Sequence, residues 1–430
     1  MRLIPVALGS LCLGLPLPGL AAEPAIAPPS FTASAAQNST GEITLPAAWA
    51  RTLAANPELQ IAADEIEAAA AARQQAALPG YNPELSWEQE SPRGNPRNQT
   101  WRLSQTLELG GQRRARISLA ERTQEQARLN LEARRQELQA RLYTTFMTVL
   151  TTQEGERLAQ ASVALANKAQ VIAERRGAAG KVAPLEATRA SVARASAEVE
   201  LAQARTRLNG ARQALAALWG ESDSPIASGD WSTVPPLPDS ADLHERLPQA
   251  ATQKLAEADI AQREAELQVV ERNALPNITL SGGIKRSADS AESSTLFGAS
   301  LPLPLFNRQQ GKRREALARI DQSRAAQQAT RIEGQTALAL ALARLQAAQA
   351  QLTALNTDIL PGAELALKTA TQGYELGKFS FLDVLDAQRT LFQAHHQYLA
   401  ALDEAHRAYA DIGRLLGFAA LTPTRMKDSP

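Results

Sequence analysis

The sequence predicts a mainly α-helical chain with a small β part, built as two tandem repeats of helix–strand–strand–long helix–turn–helix. Three observations carry that prediction. The 430 residues balance 45 Lys+Arg against 45 Asp+Glu, are 44% hydrophobic and only 4% aromatic; Ala is roughly one residue in five, and such Ala/Leu/Gln/Arg/Glu-rich composition reads as long helices and coiled coil. Next, Gly180-Lys181-Val182-Ala183-Pro184-Leu185-Glu186 returns as Gly377-Lys378-Phe379-Ser380-Phe381-Leu382-Asp383, an offset of 197 residues. That offset persists to Trp219-Gly220 and Leu416-Gly417, and upstream links Leu78-Pro79 to Leu275-Pro276. A repeat found at separated landmarks defines the architectural unit. Last, each repeat holds two short stretches of period-two alternation among otherwise helical sequence, the mark of paired strands.

The elements follow in order. Residues 1–22 read as a secretory signal peptide: Arg2 is the positive start, an apolar run follows, and Gly19-Leu20-Ala21-Ala22 offers small residues for cleavage. Cys12, the sole cysteine, falls within it, which excludes disulfides and cysteine-held zinc from the mature chain. The first repeat occupies 23–220 and the second 240–430, joined by a Pro-rich linker at 221–239. A helical stretch opens each repeat, at 45–77 and about 243–274, the first broken at Asn56-Pro57; Leu-Pro then ends each helix. Strands lie within about 84–109 and 277–305. Leu85 and Trp87 alternate with polar residues, as do Trp101, Leu103, Leu107 and Leu109. In the second repeat Ile278, Leu280 and Ile284 do the same, followed by Phe297, Ala299, Leu301 and Leu303. Polar turns at 91–98 and 286–294 separate the paired stretches.

Very long helices follow, at about 113–176 and 309–374. Only Gly155, Gly334 and Pro361-Gly362 interrupt them, and about 60 residues make a rod of roughly 90–100 Å. Leu138, Leu142, Phe146 and Val149 recur at coiled-coil spacing. Gly180 and Gly377 permit the tight reversals, after which third helices, 184–218 and 381–416, run back. The tails, 23–41 and 418–430, read as loosely ordered.

Two hairpins cannot close a membrane barrel, and open strand edges are not tolerated in lipid. Three copies supply twelve strands, an even number in the range that such barrels use, and the same symmetry assembles the helices into a tube. The balanced charge offers no basic excess for nucleic acid. No stretch reaches the ~20 apolar residues of a spanning helix. No nucleophile–base pairing, metal motif or phosphate-binding glycine loop points to an enzyme, and no cofactor is implied. His395, His396 and His406 share one helix without an i, i+4 pair, and His244 stands apart, so no metal site is expected. Trp87 and Trp101 read either as an interfacial aromatic belt or as ordinary strand packing.

Over nearly all of the mature sequence the chain resembles the TolC-type outer-membrane efflux proteins. Ser104-Gln105-Thr106-Leu107-Glu108-Leu109-Gly110-Gly111-Gln112-Arg113 and Leu301-Pro302-Leu303-Pro304-Leu305-Phe306-Asn307-Arg308-Gln309-Gln310-Gly311 are similar to the CzcC-like branch, associated with heavy-metal efflux. Gly373-Tyr374-Glu375-Leu376-Gly377, continuing into Leu382-Asp383-Val384-Leu385-Asp386-Ala387, is similar to the family's periplasmic tip. The resemblance implies a homotrimer with a 12-stranded barrel in outer-membrane lipid and an α-helical tunnel across the periplasm. It implies docking on a periplasmic adaptor and an inner-membrane RND-type pump, and export of heavy-metal cations. A drug- or protein-exporting channel, or a soluble coiled-coil structural protein, are the alternatives.

Carried onto this chain, the resemblance makes Asp383 and Asp386 a luminal carboxylate gate, rings of charge that hold a constriction and favour cations. The two stand three apart at a helix start and share a face; capping the positive helix end explains Asp383 equally well. Glu186 and Arg189 occupy the matching positions of the first repeat, and Arg189 is a candidate partner for Asp386 across neighbouring hairpins. Gly180, Lys181, Tyr374, Gly377 and Lys378 form the expected adaptor contact. Some family members carry a basic residue two positions after the tip glycine; here that position is Phe379.

Overall fold

The computed structural model describes residues 42–90, 98–180, 183–221, 226–286 and 293–421. The expected leader, the N-terminal tail at 23–41, the strand turns at 91–97 and 287–292, Lys181 and Val182, 222–225, and 422–430 lie outside the described residues.

The first repeat opens with a short strand β1 (Glu42–Ile43) and helices α1 (Leu45–Ala55) and α2 (Pro57–Ala76). The break between them is a cap. Asn56 accepts from the Glu58 and Leu59 amides at 2.9 and 3.4 Å, and its own amide donates to the Leu218 carbonyl at 2.8 Å. Pro57 suits the first helical position because its missing N–H would be unpaired there anyway. Strands β2 (Glu84–Glu90) and β3 (Asn98–Leu107) follow, then α3 (Gln112–Ala178) and α4 (Pro184–Ala216). At 67 residues α3 is unbroken, a rod of roughly 100 Å; Gly155 passes within it.

Strand β4 (Ile226–Ala227) pairs in parallel with β1, tying the inter-repeat segment to the N-terminal end of the first repeat. The second repeat holds α5 (Ser240–Arg246), α6 (Ala251–Asn273), β5 (Ile278–Arg286), β6 (Ser293–Ser300), α7 (Gln310–Ala354), α8 (Leu360–Glu375), α9 (Phe381–Leu416) and α10 (Phe418–Leu421).

The structure differs from the sequence expectation at five places. The helical stretch opening the second repeat is split by a 3₁₀ turn at Leu247–Gln249, because Pro248 cannot supply an α-helical N–H. Leu301 and Leu303 lie beyond β6, which stops at Ser300; Pro302 and Pro304 have no ladder donors. Leu109 likewise lies past the end of β3. The long second helix widens into a π-helical turn at Leu355–Ile359 directly before Pro361, which has no N–H and crowds the preceding turn. Finally, Phe418 belongs to a short helix instead of a loose tail, its ring 5.6 Å from Tyr143 and 6.0 Å from Tyr409.

The strands form one antiparallel sheet in the order β2-β3-β5-β6. On the helix side of this sheet α3 packs against α2 and α6, and α6 against α7; further along, α3 packs against α4 and α9, and α9 against α8. The chain is thus a wall of four strands continued by four helices at each level.

Its largest core lies where the inter-repeat segment crosses the helices. Leu138, Leu142, Phe146 and Val149 of α3 meet Leu215, Leu243, Leu338 and Ile412 there, each with no more than 1% of its surface exposed. A smaller cluster of Ala169, Ala173, Ala190, Ala370, Tyr374, Phe381 and Val384 joins the two hairpins at the tip. Alanine at the seams lets helix backbones approach closely, so little apolar bulk is needed there.

Candidate functional site at the tip and the strands

Two helical reversals build the tip. Gly180 and Gly377 both take left-handed backbone, φ 66° and 72°, which is why glycine stands there. Beyond α8 the Gly377 amide donates to the Tyr374 carbonyl at 3.0 Å and the Lys378 amide to that of Gly373 at 2.8 Å, the Schellman pattern that closes a helix. The Phe379 ring lies directly over Gly373, where a Cβ would overlap it. Position 379 therefore packs an apolar ring against the last turn of α8. Lys378 is exposed.

The two aspartates differ in their bonding. Asp383 sits in a capping box. Its carboxylate accepts from the Ser380 amide and hydroxyl, both at 2.8 Å, and the Ser380 oxygen receives the Asp383 amide at 3.4 Å. These bonds hold its carboxyl below the usual carboxylate range, the Ser380 hydroxyl being the larger cause. Asp386, one turn further on, is exposed and makes no hydrogen bond or ion pair among the described residues.

Glu186 matches Asp383 in the repeat, but Ala183 stands where Ser380 would be and no side-chain cap forms. Glu186 is consequently free to accept from the Tyr374 hydroxyl at 3.5 Å. Arg189 is exposed in a groove between α4 and α9 that Leu382, Leu385 and Arg389 also line; within the single chain it makes no ion pair with Asp386.

Tyr374 is only 4% exposed, so its ring supports the tip from within and does not face outward as an adaptor contact would. Phe381 lies 5.7 Å from it, and the Arg176 guanidinium covers its other side at 4.5 Å while donating to the Tyr374 carbonyl at 2.6 Å. Sequence reading passed over Arg176. Its signal was weak: a cation in the last turn of α3, where the negative helix end favours one.

His406 is fully buried. Its Nδ1 meets the Tyr143 hydroxyl and its Nε2 the Trp231 carbonyl, both at 2.9 Å, so Nε2 carries the proton and Nδ1 accepts. Burial holds its pKa below the ordinary value against the opposing pull of the Trp231 carbonyl, Asp403 and Asp230. It anchors the inter-repeat segment, and no group of three or more metal-ligating side chains occurs among the described residues.

At the other end, the sheet has two unlike faces. Trp87 is directly opposite Trp101, with ring centroids 6.2 Å apart, and Trp101 opposite Ile284; Leu85, Leu103, Gly282 and Phe297 form the next row. These large side chains are half or more exposed, Phe297 reaching 89%. The opposite face carries Ser86, Glu88, Thr100, Arg102, Ser104, Ser281 and Lys285. No described helix is long and apolar enough to cross a membrane.

The junction between sheet and helices consumes the first quoted motif. Gln105 donates to the Tyr81 carbonyl at 3.0 Å, and Arg116 holds Glu108 through two bonds at 2.5 and 3.0 Å. Gln112 donates to the Leu275 carbonyl and Asn277 across the repeats at 3.1 and 3.0 Å. Gly111, at φ 79°, turns the chain into α3.

A two-faced hairpin sheet with free outer edges, on a wall of paired long helices repeated twice, is the subunit of an outer-membrane channel with a periplasmic helical tunnel. The chain belongs to the outer membrane efflux protein family, whose model matches residues 49–221 and 249–418, once per repeat. It is 37% identical to the cobalt-zinc-cadmium resistance protein CzcC of Cupriavidus metallidurans, over 89% of this chain and 91% of that one. It is 27% identical to the nickel-cobalt-cadmium resistance protein NccC of Alcaligenes xylosoxydans xylosoxydans, over 69% of each. The crystal structure of VceC from Vibrio cholerae superposes with a TM-score of 0.72 at 21% identity, covering 87% of this chain and 96% of that one. The protein is therefore a channel component and not an enzyme: the family conducts, and changes no bond.

Proposed function

We propose that this channel exports divalent heavy-metal cations as a homotrimer, coupled through a periplasmic adaptor to an inner-membrane pump of the RND type. The observation that carries the cargo is the near full-length likeness to a cobalt-zinc-cadmium resistance protein. Supporting the assembly, the apolar row of Trp87, Trp101, Leu103, Ile284 and Phe297 suits lipid, and the polar face suits a water-filled lumen. At the tip, Asp386 has an exposed carboxylate with no bond to another described side chain, and it is our leading gate residue. Three copies would set three such charges around the axis, favouring cations as charged rings do. Asp383 holds the helix start that aims Asp386. Lys378, Gly180 and Gly377 remain exposed for an adaptor; Tyr374, Glu186 and Arg176 stiffen that surface from behind.

The test is complementation. In a strain deleted for this channel but retaining its pump and adaptor, the intact gene restores growth on cobalt, zinc and cadmium. Restored drug tolerance without metal tolerance would move the cargo to the multidrug class.

A further inference from the structure

We infer that segment 301–306 and the cations that open α3 and α7 form a lipid anchor beneath the strands: the apolar residues enter the periplasmic leaflet of the outer membrane, and the cations bind the phosphates of its anionic phospholipids. The inference rests on the trimeric channel reading and deepens it.

Segment 301–306 reads Leu-Pro-Leu-Pro-Leu-Phe and follows directly on β6. Leu301, Leu303 and Leu305 are more than half exposed, and Phe306 is 91% exposed. The register brings β3 and β6 to an end at the same edge of β5, near Ile278 and Thr279, and past β3 Leu109 is exposed as well. Contiguous apolar surface of this kind marks a contact surface, and here it continues the apolar face of the strands. Its backbone suits a lipid boundary. Pro302 and Pro304 have no N–H, and the Leu305 amide donates to the Leu303 carbonyl at 2.9 Å. The side chains of Arg308 and Gln310 donate to the Pro304 and Phe306 carbonyls, both at 3.3 Å. These polar groups find partners within the protein, as lipid demands, and the same bonds hold the apolar segment against the cationic start of α7.

Charge makes the second half of the argument. Four of the seven residues 308–314 are Arg or Lys, as are three of the five residues 112–116, and neither run holds an acidic residue. The runs open α7 and α3, whose first turns likewise carry no acidic residue. Cations at a positive helix end oppose the helix dipole, so helix stability does not account for them. Glu108 occupies Arg116, and Glu271 occupies Arg313. Arg114, Lys312 and Arg314 are exposed and make no ion pair among the described residues. A luminal position would set these charges, three times over, across the path of the cations proposed as cargo. Facing outward, they meet the phosphates of the leaflet edge, where each Lys or Arg near an anionic surface adds attraction. Apolar side chains flanked by cations are the chemistry of interfacial anchors.

Two readouts on the purified protein test it. In the first, the detergent-solubilised trimer is equilibrated with equal amounts of phosphatidylglycerol and phosphatidylcholine, and retained lipid is counted by native mass spectrometry. Wild type is expected to hold phosphatidylglycerol in about fivefold excess, the effect of one cation near an anionic surface. R114Q/K312Q/R314Q is expected to hold the two lipids equally while its trimer mass stays intact. In the second, Phe306→Cys carries an environment-sensitive dye, the sole native cysteine, Cys12, lying in the expected leader. In vesicles of phosphatidylethanolamine and phosphatidylglycerol, that dye is expected to be quenched by lipid brominated on its acyl chains. An unquenched dye in a trimer that conducts would overturn the apolar insertion. Equal retention of the two lipids by wild type would overturn the phosphate contact. An unchanged preference in R114Q/K312Q/R314Q would overturn the assignment to these cations, and a rise in its cation conductance would place them in the lumen. A protein that neither trimerises nor conducts would instead overturn the channel reading.

Discussion

At the residue scale, the histidine and the two aspartates show how similar side chains take different roles from their neighbours. His406 has a depressed pKa, so the folded state resists its protonation. The sign follows: stability is full above the unfolded-state value near 6.5 and falls as pH drops below it. Wild type is expected to lose more thermal stability between pH 7.5 and 5.5 than His406→Phe does, although the variant starts lower; melting curves at both pH values check it. Asp383 and Asp386 separate similarly. Asp383→Ala removes a helix cap and is expected to speed amide exchange around Phe381–Leu385 at the tip. Asp386→Ala is expected to leave exchange unchanged and to lower cation selectivity in single-channel recordings. The spacing of these aspartates was legible in the sequence, and so was the capping role of Asp383. The partners of Tyr374 were not: Arg176 and Glu186 meet it only because two hairpins distant in sequence pack together, which no local pattern encodes.

At the element scale, proline and asparagine decide where helices break. Asn56 satisfies two helix-start amides and the Leu218 carbonyl while only 6% exposed. Asn56→Ala is expected to cost about 1–2 kcal/mol in urea-induced unfolding, since the cap and a buried carbonyl's partner are lost together. This break was readable from Asn56-Pro57. Leu247-Pro248 carried a comparable signal, and there the helix is broken by a 3₁₀ turn without a side-chain cap. The π-helical turn before Pro361 was readable only as an interruption. Whether a chain absorbs a proline by kinking, ending or widening its helix depends on packing, here on Leu355, which is 1% exposed. The ends of β3 and β6 obey the same logic: alternation alone extends them to Leu109 and Leu303, but ladder bonding stops earlier.

At the scale of the whole molecule, the described strands and long helices form one wall, thickened where the inter-repeat segment packs across α3, α7 and α9. Neither sheet face is buried within the chain, so the faces must be told apart by chemistry alone. Repeat, alternation and open edges made this architecture legible from sequence, because each is a periodic property that survives without knowledge of contacts. Leu103 and Ser104 put the two-faced reading to its sharpest test, being adjacent in β3 and pointing to opposite faces. An arginine on the proposed lipid face costs about 2–4 kcal/mol near the bilayer midplane, whereas a luminal arginine stays in water beside Glu84, the strand partner of Ser104. Leu103→Arg is therefore expected to reduce the membrane-inserted fraction in flotation gradients, and Ser104→Arg to leave it at the wild-type level while lowering cation conductance. Equal insertion of the two variants would mean that the apolar row faces something other than lipid. The tunnel helices would then need another means of reaching the outer membrane, because the described helices contain no spanning segment.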